Sequence, residues 1–164
     1  MMMMQPVASP MRIAAPARLT AALMLLASLG ACTALPAAPR AMPPADEVRV
    51  REQAFARTMA DRDFEAFATF VADDAVFLNG GRPLRGKAAV LAHWQRFFDT
   101  ADAPFSWTPD LVEALPDGRL AHSEGPVSAP DGRVVARFYS TWRRGTDGVW
   151  RVVFDNGHDV CPPP

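Results

Sequence analysis

From Asp46 onward the apolar positions repeat first with a helical period and later with the alternation of strands. Val48, Phe55 and Met59 fall on one stripe of a helix predicted over Asp46–Ala60, with Asp46 at its N-cap. Asp61-Arg-Asp63 interrupts that stripe, and Asp63 is placed to cap a second short helix that turns Phe64, Phe67 and Val71 inward. Ala75–Leu78 reads as a short strand that ends in the turn Asn79-Gly80-Gly81. Arg85-Gly86 opens a third helix, in which Val90, Trp94 and Phe97 recur at i, i+4 and i+7. Beyond Leu111 the period changes to that of strands at about 109–115, 119–128, 133–144 and 149–156. Leu115-Pro-Asp-Gly118, Ala129-Pro-Asp-Gly132 and Thr146-Asp-Gly148 supply the hairpin turns between them, each with glycine at the left-handed position. Three helices followed by a meander give an α+β class. The expected architecture is a cone-shaped, curled antiparallel sheet with the three N-terminal helices packed on its concave face.

Register decides which polar groups such a cone would enclose. Pairing Ala129 with Arg133 sets His122 opposite Ser140 and Glu124 opposite Phe138. Pairing Arg144 with Val149 sets Val153 opposite Ser140 and Asp155 opposite Phe138. With Phe138 and Ser140 inward, Glu124, His122 and Asp155 join them as candidate acid–base groups. The last turn equally permits Gly145 opposite Val149, a one-residue slip that would face Asp155 outward. The opposite face of the hairpin then carries Tyr139, Thr141, Trp150, Val152 and Phe154. Large apolar residues on both faces of one strand pair call for a partner on one of them. A homodimer packed through the outer sheet face is the expectation.

Residues 1–45 follow a different rule, with Arg12, Arg18 and Arg40 as their only charges. Arg12 and Arg18 precede the 11-residue apolar run Leu19–Leu29, too short to span a bilayer and of the length found in secretory signals. The run ends in Leu29-Gly30-Ala31-Cys32, which resembles the bacterial lipobox. That resemblance implies cleavage before Cys32, lipid on its sulfur, and placement in a bacterial cell envelope. In a cell with two membranes, Thr33 in the second position favours the periplasmic side of the outer membrane. Residues 1–31 are thus expected to be a signal peptide, 32–45 a Pro/Ala-rich tether and 46–162 the folded domain. Cys161, in a Pro-capped tail, would be the remaining thiol.

The chain has 17 basic and 18 acidic residues, for a net charge of −1. Without Arg12 and Arg18 the basic count is 15 and the charge −3. No basic stripe suits nucleic acid, and no polybasic segment suits an anionic membrane. No His, Cys, Asp and Glu spacing resembles a metal site, and no Gly-rich phosphate loop is present, so no metal or cofactor is expected.

Asp61-x-Asp63-Phe64, Ala72-Asp-Asp-Ala75 and Leu84-Arg-Gly86-Lys87 resemble, in this order and spacing, the nuclear transport factor 2-like superfamily. Tyr139-Ser-Thr-Trp142, Asp147-Gly148-x-Trp150 and Asp155 are similar to its SnoaL-like branch, domain of unknown function 4440. The resemblance covers about Glu47–Pro162 and implies a cone fold, commonly dimeric, with a pocket at its open end. It does not imply one chemistry. Ketosteroid isomerase, the best-defined enzyme of this fold, uses a carboxylate base with a tyrosine and a protonated aspartic acid as oxyanion donors. Aligned on these motifs, its base falls on Asn79, its tyrosine on Phe55 and its aspartic acid near Ser140. None of the three groups is retained.

Phe55, Asn79, Trp94, Phe138, Ser140 and Trp142 are therefore expected to line a pocket. Three functions follow. The first is a lipid-anchored module whose cone binds a small, largely apolar molecule. The second is an isomerase, dehydratase or hydrolase using Asp155 with His122 or Glu124. The third is a partner-binding protein whose cone is filled by its own side chains.

Overall fold

The computed structural model describes residues 41–79 and 81–160. Cys32, the expected signal segment, the expected tether up to Arg40, and Cys161 lie outside the described residues.

Helix α1 (Pro44–Ala60) starts two residues before its expected cap. Pro44 holds the first helical position, where a missing N–H is no loss and φ is already helical. Pro43 is the N-cap residue, and its carbonyl accepts from the Asp46 and Glu47 N–H groups. Asp46 sits in the first turn instead, beside the positive end of the helix dipole. Asp63 caps α2 (Phe64–Phe70) as expected, its carboxylate accepting from the Ala66 N–H at 2.8 Å. Helix α3 (Lys87–Trp94) runs on into a 3-10 turn at Gln95–Phe97.

Seven strands make one curled, unclosed sheet. They are β1 (Val71–Asn79), β2 (Arg82–Arg85), β3 (Ser106–Trp107), β4 (Leu111–Ala114), β5 (Leu120–Ser128), β6 (Val134–Arg144) and β7 (Trp150–Asp159). The order is β2-β1-β7-β6-β5-β3, with β4 also paired to β5. The sheet is mixed rather than antiparallel, because β1 lies parallel to β7. A parallel pair needs a long crossover, and α3 with β3–β6 provides it. Strand β2 was not anticipated, since Pro83 interrupts its pattern. Proline is accommodated there because β2 is the edge of the sheet.

The three helices pack on the sheet's concave face: α1 against β3, β4 and β5, α2 against β7 and β1, and α3 against β1 and β2. Phe55 stacks on Phe67 at 4.9 Å and on Phe70 at 5.3 Å between ring centroids, and Phe67 continues onto Trp94 at 5.1 Å. The helical stripes and the sheet thereby form one aromatic core.

Two β-bulges reset the expected register. Ala129 does pair with Arg133, and Ser128 with Val134, but Val127 pairs with Ala136, so Val135 is an extra residue on β6. From there Ser123 faces Ser140, Glu124 faces Tyr139 and His122 faces Thr141. The last turn takes the alternative pairing, Gly145 with Val149. Val153 then bulges out of the β6–β7 ladder, between the pairs Trp142–Val152 and Thr141–Phe154. The second shift cancels the first for the residues beyond it. Asp155 ends opposite Ser140, facing inward, and not opposite Phe138. Trp150 and Val152 lie before the bulge, so they are buried beside the helices rather than on the outer face. Of the five residues expected there, Tyr139, Thr141 and Phe154 remain.

Candidate functional site

A cavity of about 350 Å³ opens between the end of α3, the segment before β3, and the ends of strands β5 to β7. Trp94, Phe97, Phe105, Val127, Ala136 and Phe138 make its wall largely apolar. Asp155, Asn156, Gly157 and Asp159 make the β7 side. A smaller chamber of about 40 Å³ lies deeper, against Phe55 and Trp107. Both spaces are bounded by Trp94, Phe105, Val127, Phe138 and Asp155.

Asp155 is 9% exposed, and its Oδ2 accepts from the Ser140 hydroxyl at 2.8 Å. Its Oδ1 has no protein partner among the described residues. Burial pushes this carboxyl up to about 8; a negative charge on Glu52 adds to the rise and the Ser140 bond opposes it. Burial thus favours the protonated, neutral form of Asp155. Because Ser140 donates to Oδ2, a proton on this carboxyl belongs on Oδ1. The group is a hydrogen-bond donor set in an apolar wall.

Trp94 supplies a second donor. Its side chain is 8% exposed, and its buried indole N–H has no hydrogen-bond partner among the described residues. Such a buried orphan costs about 1–3 kcal/mol and is rare in native interiors.

Behind the cavity lies a further carboxyl group. Glu52 of α1 is fully buried. Its Oε1 accepts from Trp107 Nε1 at 2.7 Å, and its Oε2 from Ser123 Oγ at 2.6 Å and Trp142 Nε1 at 3.0 Å. Indole nitrogens only donate, so Glu52 is the acceptor on which three strands converge. Burial raises its pKa, against the three hydrogen bonds. The signal was present in the chain: Val48, Glu52, Phe55 and Met59 share one helical stripe, and a carboxylate there must find donors inside.

His122 and Glu124 are not part of this site. The Val135 bulge turns them to the outer face, where Glu124 accepts from Arg137 at 2.8 Å and meets His122 at 3.1 Å. Arg137 also makes a two-pronged pair with Asp110 at 2.6 and 2.9 Å. The Arg137 guanidinium, and next His122, hold Glu124 below the usual carboxylate range. This is a surface network, and no acid–base partner for Asp155 comes from it. Of the six expected pocket residues, Trp94 and Phe138 bound both spaces and Phe55 bounds the inner one. Ser140 stands behind Asp155, and Trp142 is fully buried on Glu52, so both support the wall rather than line it. Asn79 ends β1, paired through its backbone with Arg82, and its side chain lies outside the described residues. Among the described residues, no group of three or more His, Cys, Asp or Glu side chains is placed to hold a metal ion.

The SnoaL-like domain family matches residues 52–153, more than half of the chain. This protein belongs to the SnoaL-like domain family. Solved structures agree on the fold. A nuclear transport factor 2-like protein of unknown function from Pseudomonas putida is 23% identical, with a TM-score of 0.58 over 69% of this chain and 84% of that one. A cystatin-like fold protein from Burkholderia xenovorans is 15% identical, with a TM-score of 0.61 over 73% and 94%. A ketosteroid isomerase-like protein from Erwinia carotovora atroseptica is also 15% identical, with a TM-score of 0.58 over 72% and 97%. No curated protein matches the chain significantly. Identities this low speak to the fold alone, and so this SnoaL-like protein's function must be argued from its own residues.

Proposed function

We propose that this SnoaL-like protein binds a small, neutral, largely apolar molecule in the cavity at the end of its curled sheet. One observation carries the proposal: an aromatic and aliphatic wall of drug-fragment size encloses the buried Asp155 carboxyl, whose neutral form burial favours. A neutral acid gives polarity without the desolvation penalty of a charge. Naphthalene is a suitable probe, with 2-naphthoate as its charged counterpart. Naphthalene is expected to quench the tryptophan emission saturably, and 2-naphthoate to bind at least about tenfold more weakly, a difference of about 1.4 kcal/mol. Ala136→Trp fills the cavity and should abolish the response. Undiminished binding by that variant, or none by the unaltered protein, would refute the proposal.

The same acid favours a second reading, an isomerase or dehydratase in which Asp155 hands a proton to a substrate oxygen while solvent water takes the proton that leaves the adjacent carbon. Enolisation separates the two. An enzyme of this type would exchange the methyl protons of 2-acetylnaphthalene for deuterium in heavy water, and lose that exchange in Asp155→Asn. A binding protein would return the probe unexchanged.

Three further proposals concern context. The lipobox-like sequence supports a lipid anchor on Cys32 and a place in the bacterial cell envelope, on the periplasmic side of the outer membrane where there are two. Metabolic labelling with an alkynyl fatty acid should mark the protein and not its Cys32→Ala variant. The outer sheet face supports a homodimer: Leu111, Leu120 and Phe154 are exposed there, each paired across strands with an outward-facing residue. Phe154→Asp should convert a dimer to a monomer in sedimentation, and a monomer before substitution would defeat the idea. The motif order around Asp61–Lys87 and Tyr139–Asp155 also supports kinship with domain of unknown function 4440.

A further inference from the structure

We propose that the ligand is an apolar ring system carrying one short alkyl arm, a methyl or ethyl group, which enters the inner chamber and ends against Phe55 and Trp107. This rests on the binding function proposed above and narrows the chemical class of the ligand.

A broad space and a narrow one lie side by side, of about 350 Å³ and about 40 Å³. Trp94, Phe105, Val127, Phe138 and Asp155 bound both, so the chamber lies across a shared wall from the cavity. The arm's way through lies past Phe105 and Val127, the two of these that are only partly buried. The chamber's surface is almost wholly apolar. The Trp107 indole N–H is taken by Glu52 at 2.7 Å, and the Trp94 N–H is closed to it. A water there would need about two to four polar partners, and the chamber offers at most the Asp155 carboxyl. An alkyl group needs none. Since a water takes up about 30 Å³ in the liquid, the chamber suits an arm of one or two carbons.

The far end of the chamber is built not to yield. Phe55 is 2% exposed, stacked on Phe67 at 4.9 Å and on Phe70 at 5.3 Å. Trp107 and Trp142 meet its ring edge-on at 5.4 and 5.9 Å. Trp107 is held in turn by its bond to Glu52. A longer arm would have to push into this close-packed cluster, which is unfavourable. Phe55 and Trp107 therefore set the length of arm that the cavity takes.

The test measures the affinities of naphthalene and of its 2-methyl, 2-ethyl and 2-butyl derivatives by quenching of tryptophan emission. Each of the first two carbons should tighten binding about fourfold, the value of one buried methylene. The butyl compound should bind at least about threefold more weakly than the ethyl one, because its arm outruns the chamber. Arms that add nothing, or a butyl compound that matches or exceeds the ethyl one, would overturn this proposal while naphthalene binding upheld the function. Failure of all four to bind would overturn the two together. Phe55→Leu shortens the end stop, so it should move the optimum to butyl and leave naphthalene within about twofold. An unmoved optimum would contradict the role of Phe55. Xenon, which enters dry apolar cavities, gives a reading on the unaltered protein that depends on no variant. It should shift the Val127 methyl resonances with naphthalene bound, and not with 2-ethylnaphthalene bound. The same response with both ligands would contradict an arm in the chamber.

Discussion

Two carboxyl groups share the interior of this protein in different company. Glu52 has three donors and acts as an acceptor; Asp155 has one donor and keeps its proton. Glu52→Gln puts an NH₂ against indoles that only donate, so it should cost about 3 kcal/mol in a denaturant titration. The same change removes a negative charge from Asp155's surroundings and should lower the Asp155 pKa. Ser140→Ala removes the one bond that favours ionised Asp155 and should move it the other way, upward. Opposite shifts from two neighbouring substitutions are checked by following the Asp155 carboxyl in both variants. A shared direction would contradict this assignment of causes. Asp155 could be suspected from sequence because a carboxyl directly follows the apolar run Val152–Phe154. Glu52 sat equally in view on α1, but an isolated charge on an apolar stripe is easily taken for solvent-facing when its donors, Trp107, Ser123 and Trp142, are distant in the chain.

At the scale of elements, helices and turns were legible and register was not. The Asp63 cap, the aromatic stripes and the three left-handed turn glycines are local signals, and Gly118, Gly132 and Gly148 do take positive φ. The bulges at Val135 and Val153 are settled by packing, since valine in either strand looks like any other strand residue. Each bulge flips every residue beyond it. One removed His122 and Glu124 from the cone, and the other kept Asp155 inside despite the slipped turn. Deleting Val153 should face Asp155 outward and return its carboxyl to the ordinary range near 4, read from its own titration. Strand β5 makes a second close fit. A Cβ on Gly125 would lie 2.0 Å from the Thr108 carbonyl oxygen, so the 108–110 backbone runs hard against it. Gly125→Ala should push that segment away and cost about 1–3 kcal/mol in a thermal melt. An unchanged melting temperature would mean the segment yields freely.

For the whole molecule, a buried neutral acid ties stability to pH in a defined sense. Asp155 titrates near 3.8 when exposed and near 8 when folded, so between these values the folded chain holds a proton that the unfolded chain has lost. Its contribution to stability is full below about pH 4 and declines as pH rises toward 8. Asp155→Asn should flatten that decline. The exposed pairs Arg143–Asp74 and Arg151–Asp147 contribute in the opposite sense at acid pH, weakly, because solvent screens them. Fold class was legible because three helices before a meander have few ways to bury both. The parallel β1–β7 pair was not, because its two strands lie far apart in the chain. The charge state of Asp155 is the most direct test of a neutral, apolar binding wall, measured by NMR of its labelled carboxyl carbon from pH 3 to pH 10. The expected midpoint is near 8; a midpoint in the ordinary carboxylate range near 4 would mean a charged group in the cavity wall and would contradict it.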